Sequence, residues 1–259
     1  MGNSVINLSN KQLLLTYIFT IITMILTTFN GINRNKDILI GTVRMTIQLF
    51  VAGYILVYIF DSSSIWLSLL MIIVMEVFAI FNVVSSKKGK LNKGLIGAIS
   101  IAQIVGTAFT IIFFLTIVIR PEPIYNPQYL IPLGGMIIGN SMTGINLALN
   151  QMESAIKNKR VNIEGSLMLG ATPRMAMDSI IQDAFNTAIT PTLNSLKNMG
   201  IISLPGMMTG QILGGVSPLI AIRYQIAIMT AIMGSVTICV FIFLYLGFKK
   251  FFNEQDQLL

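Results

Sequence analysis

Histidine is absent from the 259-residue chain. Its absence removes the usual general base, the commonest transition-metal ligand and every nucleophilic triad built on imidazole. One cysteine, Cys239, sits inside an apolar run, so no disulfide framework exists. Charged residues make up only 10% of the chain, where a soluble domain carries roughly 25%. Phosphate-binding G-x-x-x-x-G-K-[ST] is missing as well. Gly89-Lys90-Leu91 lies in a lysine-rich loop without the upstream glycine, so the chain does not bind ATP by that route. Neither H-E-x-x-H nor G-x-S-x-G occurs, and no pair of carboxylates clusters. These absences point to a chain with no catalytic residues and no cofactor of its own.

What is present is apolar sequence, 54% of the residues. Spanning a bilayer takes about 20 mostly apolar residues. Seven stretches qualify, at 12–30, 38–60, 65–84, 94–119, 129–149, 201–222 and 225–247, the fifth and sixth being rich in glycine and proline. The expectation is an all-α, polytopic integral membrane protein in one permease-like domain, residues 1–259. The stretch 151–200 reads as amphipathic helices on the cytosolic membrane face. The opening Met-Gly-Asn-Ser-Val-Ile has neither the charged region of a signal peptide nor the hydroxyl that a myristoylation pattern needs at its sixth position.

Charge sets the expected orientation. Arg34, Lys36, Lys87, Lys88, Lys90, Lys93, Lys157, Lys159, Arg160, Arg174, Lys197, Lys249 and Lys250 fall in alternate loops and the tail. The other loops hold Lys11 and Arg120. Positive-inside bias then places the amino terminus outside and the carboxy terminus in the cytosol. The net charge of +7 is topological. It is not a basic stripe interleaved with aromatics in a soluble module, so nucleic acid is excluded as a partner and the lipid bilayer is one.

Residues 164–174, EGSLMLGATPR, stand in the most polar stretch. Glu164 to Leu169 are compatible with a helix, and Gly170 supplies a left-handed stop. Thr172 then caps a new helix with Pro173 at its first position. On residue chemistry alone, this helix–corner–helix is either an ordinary surface pair or a knob for a cytosolic partner. The spacing from Glu164 to Leu169-Gly170-Ala171 resembles the EAA-type coupling loop of ABC-transporter permeases, with Gly165 and Ser166 in place of two alanines and no downstream Leu-Pro. Glu164, Leu169, Gly170, Ala171 and Thr172 are therefore the expected contacts to an ATPase.

Residues 204–215 read LPGMMTGQILGG, with Gly206, Gly210 and Gly214 four apart; Gly135 and Gly139 repeat the spacing in the fifth span. Small residues let membrane helices approach closely, so these positions read as internal packing, a subunit interface or a sliding surface. The block from Asn198 to Ile226, with PLGGMIIGNSM at 132–142 and Arg44-x-x-x-Gln48-Leu49, resembles the iron-export ABC-transporter permease family over about residues 37–247. That family comprises the membrane subunits of Fet-type two-component exporters and is related to plant aluminium-tolerance half-permeases. The resemblance implies a homodimeric permease in a bacterial plasma membrane. It also implies a separate cytosolic ATP-binding ABC subunit that carries ATP-Mg, with iron as cargo.

Polar groups inside spans are costly unless paired or hydrated. Arg44, Gln48, Glu76, Asn140 and Gln211 are the candidates for a translocation path. Arg44 and Glu76 lie at similar depth in adjacent spans, as a structural pair or as path lining. Glu76 is the acidic residue within a span and hence the candidate metal ligand, since hard iron prefers oxygen donors. A small-solute permease and a lipid-modifying membrane enzyme are the alternatives.

Overall fold

The computed structural model describes residues 7–62, 64–87 and 91–258. The amino-terminal six residues, and Lys88 and Lys90 of the third loop, lie outside them. All regular elements among the described residues are helical. They divide into two compact units, one of residues up to Ser63 with Leu213–Gly215, the other holding the rest.

In the first unit, α1 (Asn10–Thr16) opens with a capping box. Ser9 Oγ accepts the Gln12 N–H at 3.3 Å while the Gln12 side chain accepts the Ser9 N–H at 2.8 Å. The chain bends at Tyr17 into α2 (Ile18–Phe29), turns at Gly31 (φ +68°), and returns as α3 (Asn35–Ser62). Tyr17 and Thr46 share a 2.7 Å hydroxyl bond. The outward faces are Ile, Leu, Val and Phe, which suits lipid and not water.

The second unit has α6 (Pro127–Asn158) at its centre, packed against α4 (Ile65–Ser85), α5 (Lys93–Phe113), α8 (Pro173–Asn198) and α10 (Pro218–Gly247). The last turns of α5 widen into a π-helical segment, Phe114–Ile119. Asn92 caps α5 through the Leu95 N–H at 2.7 Å, and Asn126 with Pro127 starts α6. The core runs through Ile99 and Ala102 of α5, Ile145, Ala148 and Leu149 of α6, and Val236, Val240 and Phe243 of α10, none above 1% exposed.

Three glycines set how near the helices come. A Cβ on Gly106 would stand 2.3 Å from Cys239 Sγ and 3.2 Å from the Cys239 backbone. On Gly144 it would meet Val236 at 2.8 Å, and on Gly134 the Ile72 side chain at 2.6 Å. Without an aqueous hydrophobic effect between helices, such approach supplies the dispersion contact that holds a bundle together. Ser141 and Ser235, both fully buried, add a 2.8 Å hydrogen bond between α6 and α10.

Among the described residues, five helical stretches are long and apolar enough to cross a membrane: Asn10–Phe29, Asn35–Ser62, Ile65–Ser85, Lys93–Ile119 and Pro218–Phe251. Two expectations need correction. The stretch 201–222 is not one span: Pro205, Gly215 (φ +91°) and Pro218 interrupt it, leaving the eight-residue helix α9 (Gly206–Leu213) and the start of α10. Nor does all of 151–200 lie at the surface. It contains the end of α6, the short α7 (Arg160–Met168), and α8, a 26-residue helix about 39 Å long at 1.5 Å per residue. Met177, Ile180, Ile181, Ala184 and Ala188 of α8 are buried at three- and four-residue spacing, against α6 and α10. This helix belongs to the body of the bundle.

Candidate functional site

The corner between α7 and α8 forms as local chemistry requires. The Ala171 N–H donates to the Ser166 carbonyl and the Gly170 N–H to the Leu167 carbonyl, each at 3.0 Å, the bond pair of a Schellman stop. Gly170 takes φ +90°, a value that strains any residue with a Cβ. Thr172 follows in extended backbone, its Oγ1 accepting the Met175 N–H at 3.3 Å, and Pro173 begins α8. The corner presents apolar side chains outward: Leu169 is 91% exposed, Met168 87% and Val161 80%. Ile163, 2% exposed, anchors α7 to the bundle.

Charge braces the same corner. Arg160 Nε donates to Glu164 Oε1 at 2.8 Å across one helical turn, and Lys159 lies 3.6 Å from Asp183 of α8. The Arg174 guanidinium stands 5.4 Å from the centre of the Phe248 ring, in the 3₁₀ turn Phe248–Phe251 that ends α10. Asn92 Nδ2 donates to the Lys250 carbonyl at 2.8 Å, which ties that turn to the start of α5. Glu164, Leu169, Gly170, Ala171 and Thr172 all fall at this one corner. The aromatic brace at Phe248 had no signal in the sequence, because it depends on where two distant helix ends meet.

The polar groups of the spans sort differently. Glu76 accepts a hydrogen bond from Thr107 Oγ1, and the Gln103 side chain lies beside the same carboxyl. Gln103 Nε2 donates to the Ile138 carbonyl at 3.2 Å, while Glu76 Oε2 and Gln103 Oε1 are buried without a hydrogen-bond partner. The carboxyl is held by α5, and Arg44 and Gln48 are exposed positions of α3 in the other unit. Glu76 also borders an apolar groove of about 650 Å³ between α4 and α5, walled by Ile72, Ile73, Ile104 and Ile111. No cluster of three metal-binding side chains occurs among the described residues.

Asn140 is exposed on α6, its amide bonded only to the Met136 carbonyl of its own helix at 2.8 Å. Gln211 lies on α9, with its Oε1 buried and unpartnered. Just past the carboxy-terminal end of α4, Lys87 Nζ reaches Asn150 Oδ1 at 2.6 Å and forms an ion pair with Glu153 of α6, a clasp that sequence reading missed.

The glycine expectations divide. A Cβ on Gly135 would meet Met75 of α4 at 3.0 Å, so that glycine packs internally. Gly139, Gly206 and Gly210 have nothing within 4 Å of such a Cβ, and Gly214 is an exposed residue beyond the end of α9. Gly206, Gly210 and Gly214 are thus not a packed face of one helix within this chain. The tight contacts fall at Gly106, Gly134 and Gly144 instead.

The model of the uncharacterised protein family UPF0014 matches residues 10–252, from the first turn of α1 to the 3₁₀ turn after α10. The chain belongs to the UPF0014 family. Relatives align along nearly their whole length. One from Escherichia coli, named a probable iron export permease protein, FetB, is 33% identical over 97% of this chain and 95% of its own. The UPF0014 membrane protein YjkA of Bacillus subtilis is 35% identical over 95% and 97%. The ALUMINUM SENSITIVE 3 protein of Arabidopsis thaliana is 32% identical over 93% and 86%. No solved structure matches this UPF0014 chain. The family match takes in the corner at 159–173 and every polar group described above.

Proposed function

We propose that this UPF0014 chain is the membrane subunit of an ABC-type exporter, with the α7–α8 corner as the knob that a separate ATP-binding subunit grips. The carrying observation is the geometry of that corner. Two helices meet at nearly full exposure through a stop that only glycine adopts without strain, and Met168 and Leu169 project from it. An exposed apolar tip on a rigid mount is costly in water and is what a partner's hydrophobic cleft covers. Glu164, Ala171 and Thr172 hold the tip in place, and ATP-Mg belongs to the partner.

In this reading seven segments cross a plasma membrane: α1 with α2, then α3, α4, α5, α6, α8 and α10. The amino terminus is outside and the carboxy terminus inside. With α8 as a crossing, Lys197 joins Lys11 and Arg120 on the outer side, and the counted cations still lie twelve to three in favour of the cytosol. The functional unit is a homodimer. The E. coli relative carries iron export in its name, and a divalent metal ion is the cargo proposed here. Glu76, with Thr107 and Gln103 beside it, offers hard oxygen donors in the body of the bundle, and a transient site of one carboxylate per chain suits an ion that must leave.

Proteoliposomes containing this chain and its ATP-binding subunit test the reading. ATP-dependent movement of Fe²⁺ out of the compartment facing the ATPase is expected, and Glu76→Gln should lower the flux while ATP binding to the partner is unchanged. Equal flux with and without ATP would refute it.

A further inference from the structure

The chain between α8 and α10 has a composition that does not match its shape. From Asn198 to Ile222 there is no charged residue, and Lys197 and Arg223 stand on either side. By composition such a stretch is soluble in a bilayer. Its one helix, α9, has eight residues, about 12 Å of length, where a hydrocarbon core is about 30 Å thick. The segment is too short to cross. It does not turn its apolar side chains inward either: Ile201 is 92% exposed, Ile202 78%, and Leu204 is exposed beside them. The opposite side is fixed to the second unit, with Met208 of α9 buried and Met207 packed on the core. Gln225 Nε2 donates to Met199 Sδ at 3.6 Å, which ties the end of α8 to α10.

We propose that residues 199–217 lie in the boundary between headgroups and acyl chains, with Ile201, Ile202 and Leu204 dipped into the lipid of one leaflet. Two observations select lipid as the occupant. The exposed apolar side chains continue without a break into a candidate span. The segment enters α10 at Pro218, and Leu219 and Ile220 are exposed in the first turn of that helix, which is long and apolar enough to cross. The turns also bond their own backbone. With Gly200 at φ +87°, its N–H donates to the Ser203 carbonyl and the Ile202 N–H to the Asn198 carbonyl, each at 3.0 Å. The Thr209 N–H donates to the Pro205 carbonyl at 3.0 Å and the Val216 N–H to the Gln211 carbonyl at 2.9 Å. Acyl chains supply no hydrogen-bond partner, so irregular backbone stays at headgroup level and only the apolar tips enter. Lys197 and Arg223 flank the segment as cations whose long stems suit that level. The inference rests on the reading of α8 as a crossing, which makes the leaflet the outer one.

Tryptophan fluorescence tests this. Trp66 is the single tryptophan of the chain, so Trp66→Phe gives a silent background. Ile201→Trp and, independently, Leu204→Trp are made in it, and the full chain is reconstituted in phosphatidylcholine vesicles brominated at a shallow or a deep acyl position. Both probes are expected to be quenched by bromine, more strongly at the shallow position than at the deep one, and to resist aqueous iodide. Phe109→Trp, exposed in the middle part of the α5 crossing stretch, is the deep reference, and Leu169→Trp at the corner is the aqueous one. Bromine quenching no greater than in Leu169→Trp, at either position, overturns the inference. Stronger quenching by deep than by shallow bromine, the mark of a span, overturns it as well. Ser203→Cys, with Cys239 fully buried, reports separately on the crossing of α8. Reaction with a membrane-impermeant thiol reagent in intact cells supports an outer loop. Reaction only in opened cells refutes the crossing and with it the choice of leaflet, while the bromine readout still decides the lipid contact.

Discussion

At the residue scale, glycine acts in two unrelated ways in this chain. Gly170 is required by its backbone, since φ of +90° crowds a Cβ against the following carbonyl, at a cost of about 1 kcal/mol or more. Gly170→Val is expected to leave the bundle inserted and dimer-competent while abolishing ATPase stimulation by the corner; unchanged stimulation would mean the stop is not needed. Gly106 is required by its neighbour. Gly106→Ala drives a methyl into Cys239 and is expected to destabilise the detergent-solubilised protein by roughly 1–3 kcal/mol, read as a lowered thermal midpoint. Adding Cys239→Ala removes the sulfur contact at 2.3 Å but not the backbone contacts at 3.2 Å, so the double variant should recover only part of the loss. These two glycines differ in legibility. Gly170 sits between a helix-forming run and a Thr-Pro start, so its role follows from adjacent residues. The role of Gly106 depends on α10, more than a hundred residues away, and no local pattern marks it.

At the element scale, the informative case is α8. Its sequence holds Arg174, Asp178, Asp183 and Lys197, and reads as a surface segment. Hydropathy reports the composition of a whole helix, and α8 packs on α6 and α10 along one side while its exposed side carries mostly polar residues. Its buried stripe of Met177, Ile180, Ala184 and Ala188 is narrow and built partly from small residues, so it scores poorly as apolar sequence. The stretch 201–222 errs in the opposite sense: apolar enough in composition, it is cut by Pro205, Gly215 and Pro218. Thr172→Ala tests the start of α8 directly. Loss of the cap to Met175 is expected to cost about 1 kcal/mol, seen as faster amide exchange confined to the first turn of α8, with the bundle unaffected. Uniform exchange across α8 in that variant would show that packing on α6 holds the helix end without the cap.

At the scale of the whole molecule, an exposed corner is mounted on the five-helix body of the second unit. The corner is tied to the body at three places: Ile163 beneath α7, the Lys159–Asp183 pair, and Arg174 on Phe248. In the proposed exporter these ties, with the Asn92–Lys250 bond, would link a partner's pull on Met168 and Leu169 to the starts of α8 and α5 and to the end of α10. Arg174→Ala should leave docking intact and lower transport per ATP hydrolysed, because it loosens the mount and not the tip. An equal loss of docking would place Arg174 in the contact itself.

The central claim is that the corner grips an ATP-binding subunit, and the most direct measurement is co-purification from membranes expressing both chains. The native chain is expected to retain the ATP-binding subunit through detergent extraction and to stimulate its ATP hydrolysis. Leu169→Arg, which charges the 91%-exposed tip without touching the fold, is expected to lose both. Retention of the subunit by Leu169→Arg, with hydrolysis still stimulated, would contradict the account.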